Sequence, residues 1–159
     1  MNSGIYLGMG SNLGDRFNNL SQALIMLTKL PKLVLEQESS IYETRPYALK
    51  NQPDFLNKVV MVETLYSPRE LLRELLKIEE KMGRIRREKH GPRIIDIDIL
   101  FYDRWIIEEE DLVVPHHDVQ NRDFFLYPML EIAPEFEHPK LGRSISDLLA
   151  ELIVRNYAL

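Results

Sequence analysis

Ile94-Ile95-Asp96-Ile97-Asp98-Ile99-Leu100 decides how the rest of the chain is read. Side chains alternate along a strand, so Ile95, Ile97 and Ile99 share one face while Asp96 and Asp98 share the other. The isoleucine face demands a core. The other face carries two acids, a residue type that strands disfavour. The upstream sequence supplies a layer for that core. Ser67-Pro68-Arg69-Glu70 opens a helix: Ser67 can cap it, Pro68 suits the first helical position and Glu70 completes a capping box. Leu71, Leu75, Ile78 and Met82 form its apolar stripe, and Gly83 ends it. Before that helix, Phe55 to Leu65 reads as a strand, with Val60, Val62 and Thr64 alternating against Val59, Met61 and Glu63.

Further upstream, Arg45 to Pro53 holds two prolines and no periodicity, so it is a loop, and Leu33 to Thr44 is another strand. Phe17, Leu20, Leu24 and Leu27 recur at helical spacing behind the cap Asp15, and Ile5 to Met9 is the first strand. The order β-α-β-β-α-β predicts an α+β fold of the ferredoxin-like kind, an antiparallel sheet with both helices on one face. A segment at Trp105–Ile107, a loop through Pro115-His116-His117 and short helices near Phe125–Ile132 and Ser144–Ile153 form a short C-terminal α/β extension. No repeat or linker divides the chain, so residues 1–159 are read as a single domain.

At 159 residues, with 45% hydrophobic and 28% charged, the chain can bury a core without staples. It has no cysteine, which excludes a disulfide scaffold, a thiolate metal site and a cysteine nucleophile. The first residues carry no basic leader, and no run approaches the roughly 18 apolar residues of a membrane helix. A cytoplasmic protein without a membrane partner is expected. The net charge of −5 argues against nucleic acid as a general partner. Its distribution says more. Lys81, Arg84, Arg86, Arg87, Lys89 and Arg93 stand against one acid, Glu88, giving +5 between residues 81 and 93. A basic island in an acidic protein suits a local anionic ligand, although a charge run alone is more simply a solvated loop.

The acidic strand just past the island favours the ligand. Asp96 and Asp98 are about 6–7 Å apart at Cα on one strand face, a spacing that can bracket hard cations. Magnesium takes one or two carboxylates and completes its shell with phosphate oxygens and water. Arginine forks nearby would hold the phosphates. The plainer alternative, two acids facing solvent, leaves them repelling each other. No G-x-x-x-x-G-K-[ST] motif occurs. Gly8-Met9-Gly10-Ser11-Asn12-Leu13-Gly14 follows a strand and precedes a helix, but its third glycine is one residue late for a dinucleotide fingerprint, so a tight turn is the better reading.

Lys89-His90-Gly91-Pro92-Arg93-Ile94-Ile95-Asp96-Ile97-Asp98-Ile99-Leu100 resembles the signature of the 6-hydroxymethyl-7,8-dihydropterin pyrophosphokinases of folate biosynthesis. Gly10-Ser11-Asn12-Leu13-Gly14-Asp15, Tyr42-Glu43-Thr44-Arg45-Pro46 and Gln52-Pro53-Asp54-Phe55-Leu56-Asn57 also match the family in order. So do Val114-Pro115-His116, Asn121-Arg122-Asp123-Phe124 and Glu131-Ile132-Ala133-Pro134. The resemblance implies transfer of the β,γ-pyrophosphoryl group of ATP to the pterin hydroxymethyl oxygen with release of AMP. It also implies loops at Arg45–Pro53 and Gly83–Pro92 that close over the substrates.

By the same resemblance, Asp96 and Asp98 bind two Mg2+ ions, and Arg84 and Arg93 grip the phosphates as charge develops. Arg86 and Arg122 are further phosphate contacts, His116 lies near the triphosphate, Ile99 packs by the adenine and Glu79 is a nucleotide-side residue. Phe55 and Phe124 sandwich the pterin, and Asn57 reads its donor–acceptor edge. Thr44, Pro46 and Asp96 complete the pterin side. Each role has a plainer rival: the phenylalanines could be core, and Glu79 could form helix ion pairs. His116 and His117 could be mistaken for a metal pair, but neighbours on extended chain point oppositely, which disfavours zinc. His138 is expected at the surface. Ala48, His90, Asp111 and His117 depart from common family residues, and Asp111 puts one ATP contact in doubt. A monomer is expected. The rival functions are a palm-like nucleotidyl transferase or cyclase, which would release pyrophosphate, and a non-catalytic ligand sensor, which would leave ATP intact.

Overall fold

Strand β1 (Asn2–Ser11) runs through the middle of an antiparallel sheet, flanked by β4 (Phe55–Thr64) and β5 (Asp96–Tyr102). The computed structural model describes residues 2–45, 51–84 and 91–157. Strand β2 (Leu33–Glu38) pairs with β4 on its far side, so the sheet order is β2-β4-β1-β5. That order, with helix α1 (Arg16–Thr28) after β1 and helix α2 (Pro68–Lys81) after β4, is the ferredoxin-like α+β arrangement.

Alternation assigns the two faces. Ile5, Leu7 and Met9 of β1, Leu56, Val60 and Val62 of β4, and Ile95, Ile97 and Ile99 form one core with α1 and α2. The other parity of each strand faces a second core, built with helices α3 (Asp123–Ile132) and α4 (Ile145–Tyr157). The C-terminal extension therefore covers the sheet face that the first two helices leave open. Pairing of β1 with β5 slips between Tyr6 and Leu7, a bulge at Leu100. It turns Leu100 and Phe101 together into the second core, while Tyr102 returns to the first.

The capping box at Ser67 and Glu70 is present, and Asp15 accepts from the Asn18 amide at the start of α1. At the other end of α2, Gly83 sits at φ +84, where a glycine is favoured. Its N–H bonds Glu80 O, and the Arg84 N–H reaches back to Glu79 O at 3.1 Å. This pair of bonds closes the helix and folds the chain back so that Arg84 lies over Glu79.

Three expectations of the fold need correction. The stretch read as a tight turn from Gly8 is strand as far as Ser11, because β1 stays paired with β4 there and with β5 through Gly10. The strand read over Leu33–Thr44 is two strands, β2 and β3 (Tyr42–Thr44), both paired with β4. Between Glu38↔Val60 and Tyr42↔Asn57 the outer chain holds three residues against two. Ser39 keeps contact through Ser39 N–H to Val59 O and Val59 N–H to Ser39 Oγ. Glu131 of α3 accepts from the Ser40 amide, the Ser40 hydroxyl and the Tyr42 hydroxyl. A carboxylate from a distant helix thus satisfies the break. His138 is buried, not at the surface: its Nδ1 accepts from the Lys140 and Leu141 amides, and its ring meets Phe101 edge-on. Burial holds its imidazole below the usual pKa. A two-stranded ribbon, β6 (Ile107–Glu108) with β7 (Val113–Val114), stands beside β5. No helix among the described residues is long and apolar enough to cross a membrane.

Candidate active site

Three strands share a register row. Gly10 of β1 pairs with Asn57 of β4 on one side and with Asp96 of β5 on the other. The next row is Val59, Gly8 and Asp98. Paired residues share a face, so an amide and two carboxylates flank a strip of β1 that has no side chains. A Cβ on Gly10 would come within 3.0 Å of Asn57 Oδ1, and one on Gly8 within 2.8 Å of Phe125. The strip is the floor of a cleft of about 510 Å³, open mouth included. Thr44, Arg45, Phe55, Arg93, Arg122, Phe124 and Phe125 complete its walls.

The acids sit among arginines. Arg84 Nη1 donates to Glu79 Oε1 and Asp96 Oδ1, both at 2.8 Å. Glu79 is 4% exposed, and its second oxygen accepts from the buried Ile97 amide. Arg93 Nε lies 3.4 Å from Asp96 Oδ2, is itself buried, and finds no hydrogen-bond acceptor among the described residues. A buried guanidinium N–H without an acceptor is a place for an incoming anionic oxygen. Asp98 has its pKa pushed well above the ordinary carboxylate value, first by desolvation and then by the Asp96 and Glu79 carboxylates; Arg93 and Arg122 only partly offset this. A divalent cation would relieve that penalty. Two aspartates with no third clustered His, Cys or Glu among the described residues fit magnesium, whose other ligands are phosphate and water.

The aromatic side is equally ordered. Arg93 stands over the Phe55 ring at 4.7 Å, and Arg122 over Phe124 at 5.7 Å. Asn57 Nδ2 donates to Thr44 Oγ1 at 2.6 Å, leaving its carbonyl oxygen beside Gly10. Phe125 meets the rings of both Phe124 and His116. His116 lines an adjoining cavity with Val114, Pro115, His117 and Gln120. Burial and the Arg122 charge push the His116 pKa down to about 4, so its ring is neutral at pH 7. Its Nδ1 accepts from the Asp118 amide, which places the proton on Nε2.

The structure brings Asn57, Phe55, Phe124, Thr44, Asp96, Asp98, Arg93 and Arg122 to one cleft. It does not bring Ile99, Glu79, Arg84 or His116 into that lining by their side chains. Ile99 faces the opposite core, and Glu79 is enclosed with Arg84 beneath the acids. Pro46, Arg86, Ala48 and His90 lie outside the described residues. The His116 and His117 rings stack at 4.7 Å and 21°, contrary to the opposite directions expected, because the chain turns at Asp118 instead of running extended. Asp111 pairs with Arg69 at the start of α2. Asn12, Gly8, Gly10 and Phe125 were missed as site residues. Glycines two apart in an apolar strand were the available signal, since they leave one face bare.

A ferredoxin-like sheet with paired strand acids, half-buried arginines and an aromatic-walled cleft has the donors that a polyphosphate with its cations and a flat ring would need. The profile of the family 7,8-dihydro-6-hydroxymethylpterin-pyrophosphokinase (HPPK) matches residues 6–134. The chain is 42% identical over 147 residues to the 2-amino-4-hydroxy-6-hydroxymethyldihydropteridine pyrophosphokinase of Aquifex aeolicus, covering 92% of this chain and 91% of that one. It is 42% identical over 147 residues to the folic acid synthesis protein fol1 of Schizosaccharomyces pombe, covering 92% of this chain but 20% of that one. Among solved structures, Plasmodium falciparum HPPK-DHPS with pteroate superposes with a TM-score of 0.79 at 17% identity, over 100% of this chain and 46% of that chain. The chain thus spans about a fifth of the fission-yeast relative and under half of the solved Plasmodium falciparum chain. It belongs to the HPPK family.

Proposed function

We propose that the chain transfers the β,γ-pyrophosphoryl group of ATP to the hydroxymethyl oxygen of 6-hydroxymethyl-7,8-dihydropterin. The pterin oxygen bonds to the β-phosphorus, the α,β-bridging P–O bond breaks, AMP leaves and the hydroxyl proton is released. The observation that carries this reading is the register row Asn57–Gly10–Asp96. It sets an amide able to read a pterin edge, a glycine floor for a flat ring and a carboxylate able to take a cation in one line.

In this reading the pterin lies over Gly10 between Phe55 and Phe124, whose π faces match its own. Asn57 Oδ1 accepts from its edge, and Thr44 Oγ1 fixes which way the amide points. Asp96 and Asp98 would hold two Mg2+ ions, which when bound offset phosphate charge and align the two oxygens of the displacement. Arg84 and Arg93 would bind the transferring phosphates, and the Arg93 Nε–H, which has no acceptor among the described residues, can donate to one of their oxygens as it gains charge. Arg86 and Arg122 make further phosphate contacts. Neutral His116 offers Nε2–H as a donor to a phosphate oxygen without adding charge. Glu79 acts through Arg84.

Incubation with ATP, magnesium and hydroxymethyl-dihydropterin tests the reading. AMP formation that needs all three supports it; pterin-independent release of pyrophosphate would instead favour a nucleotidyl transferase. Arg93→Ala should lower kcat by about 10²–10³-fold. Asp96→Asn or Asp98→Asn turning over near the wild-type rate would refute the metal assignment.

A further inference from the structure

Asn12 is 1% exposed, at the turn just beyond β1. Its side chain uses both chemical functions of the amide. Oδ1 accepts from the Arg93 backbone N–H at 2.9 Å, and its own backbone N–H donates to Arg93 O at 3.2 Å. Nδ2 donates to Gln52 Oε1 at 2.7 Å and Pro53 O at 3.0 Å. One side chain therefore joins two segments some 40 and 80 residues away in sequence.

These segments carry the two wall residues that meet over the cleft. Arg93 is itself one anchor, and Phe55 lies two residues past Pro53. Among the described residues, the Arg93 guanidinium donates to Gly91 O at 2.6 Å, while its Nε is buried without an acceptor. Its place is set from both ends: the guanidinium meets Asp96, the Phe55 ring and Gly91 O, and the backbone is held by Asn12. An amide alone can serve here. Aspartate lacks the donors, serine is too short, and glutamine is a methylene too long for a buried site.

We propose that Asn12 is a positioning residue for the transfer reaction: it sets Arg93 against Asp96 and Phe55 by tying residues 52–53 to Arg93. The inference rests on the functional reading above, and it has a part that can be tested without turnover.

Amide hydrogen exchange at Arg93 reads the tether in the free protein, and steady-state kinetics reads the positioning. Asn12→Ala should speed Arg93 amide exchange by about tenfold or more, in keeping with loss of a hydrogen bond from a buried donor. It should lower kcat more than it raises the KM for ATP. Asn12→Asp keeps the acceptor for Arg93 N–H but turns an oxygen toward Gln52 Oε1 and Pro53 O. It should retain Arg93 protection while pterin affinity, measured by titration in the absence of nucleotide, weakens about 3–10-fold. A thermal unfolding transition near that of the wild type for Asn12→Asp separates this from general loss of fold. Unchanged Arg93 exchange in Asn12→Ala overturns the tether. Faster exchange with unchanged kcat overturns the positioning role. Equal losses of kcat and pterin affinity in both variants overturn the division of labour between the two ends of the amide. If the wild type forms no AMP, the functional reading fails; the exchange and pterin-affinity results still decide whether Asn12 joins the two segments.

Discussion

Replacing Arg84 by methionine should destabilise the protein by about 3–5 kcal/mol, the range for removing one partner of a buried ion pair. Arg84 bridges two carboxylates at 2.8 Å, with side-chain exposures of 15% for Arg84, 5% for Glu79 and 24% for Asp96. Without it, Asp96 keeps Arg93 nearby and some access to water. Glu79 keeps the Ile97 N–H and loses the Arg84 charge. Glu79, the more enclosed of the two acids, carries the larger share of the cost. The double variant Glu79→Gln with Arg84→Met removes both charges, and the glutamine oxygen can still accept from Ile97 N–H. It should recover to within about 1–2 kcal/mol of wild type. Urea unfolding followed by circular dichroism, with a shared m-value, measures the cycle. Both variants should lose turnover, so stability and activity part company in the double variant. An Arg84→Met cost under about 1 kcal/mol, or a double variant as unstable as the two singles added, would refute the claim that the Arg84 charge stabilises the enclosed Glu79 carboxylate.

Gly8→Ala should cost about 1–3 kcal/mol, because the added Cβ meets Phe125 Cε1 at 2.8 Å. The displaced ring should also weaken pterin binding; intact affinity in a titration would show that the floor of the cleft is not where the pterin lies. His116, with a pKa near 4 against the ordinary 6.5, binds a proton later on acidification than the unfolded chain does. Its contribution is present above pH 6.5 and fades as pH falls toward 4, by at most roughly 3 kcal/mol. In NMR the His116 ring should show no titration between about pH 8 and 5.5, and a midpoint above about 6 would contradict its burial. Tyr42→Phe removes one donor to Glu131, and the Glu131 carboxyl should then titrate at higher pH, since that hydrogen bond helps hold it low. An unchanged titration by NMR would show that Tyr42 does not bond Glu131 in solution.

The main elements were legible because they rest on local rules. The capping box at Ser67, the stripe of α2 and the alternation in β4 each need only neighbours within four residues. The placement of Asp96 and Asp98 on one face followed in the same way. The break at Ser39–Ile41 was not legible, because its stabilising group is Glu131, some 90 residues on. His138 looked like a surface residue until the 138–142 turn and Phe101 enclosed it. The stacking of His116 on His117 depended on a turn that the alternation of an extended chain does not foresee.

From the sequence alone came the strand and helix order, the face that holds the acids, the neighbouring basic residues and the likeness to the pyrophosphokinases. Only the folded chain set Gly10 between Asn57 and Asp96, enclosed Glu79 with Arg84, and hung Arg93 and the 52–53 segment on Asn12. Periodicity and capping are short-range properties of a chain. A register between strands, or a hydrogen bond across some 80 residues, exists only once packing has fixed which distant groups meet and burial has removed the water that would otherwise satisfy them.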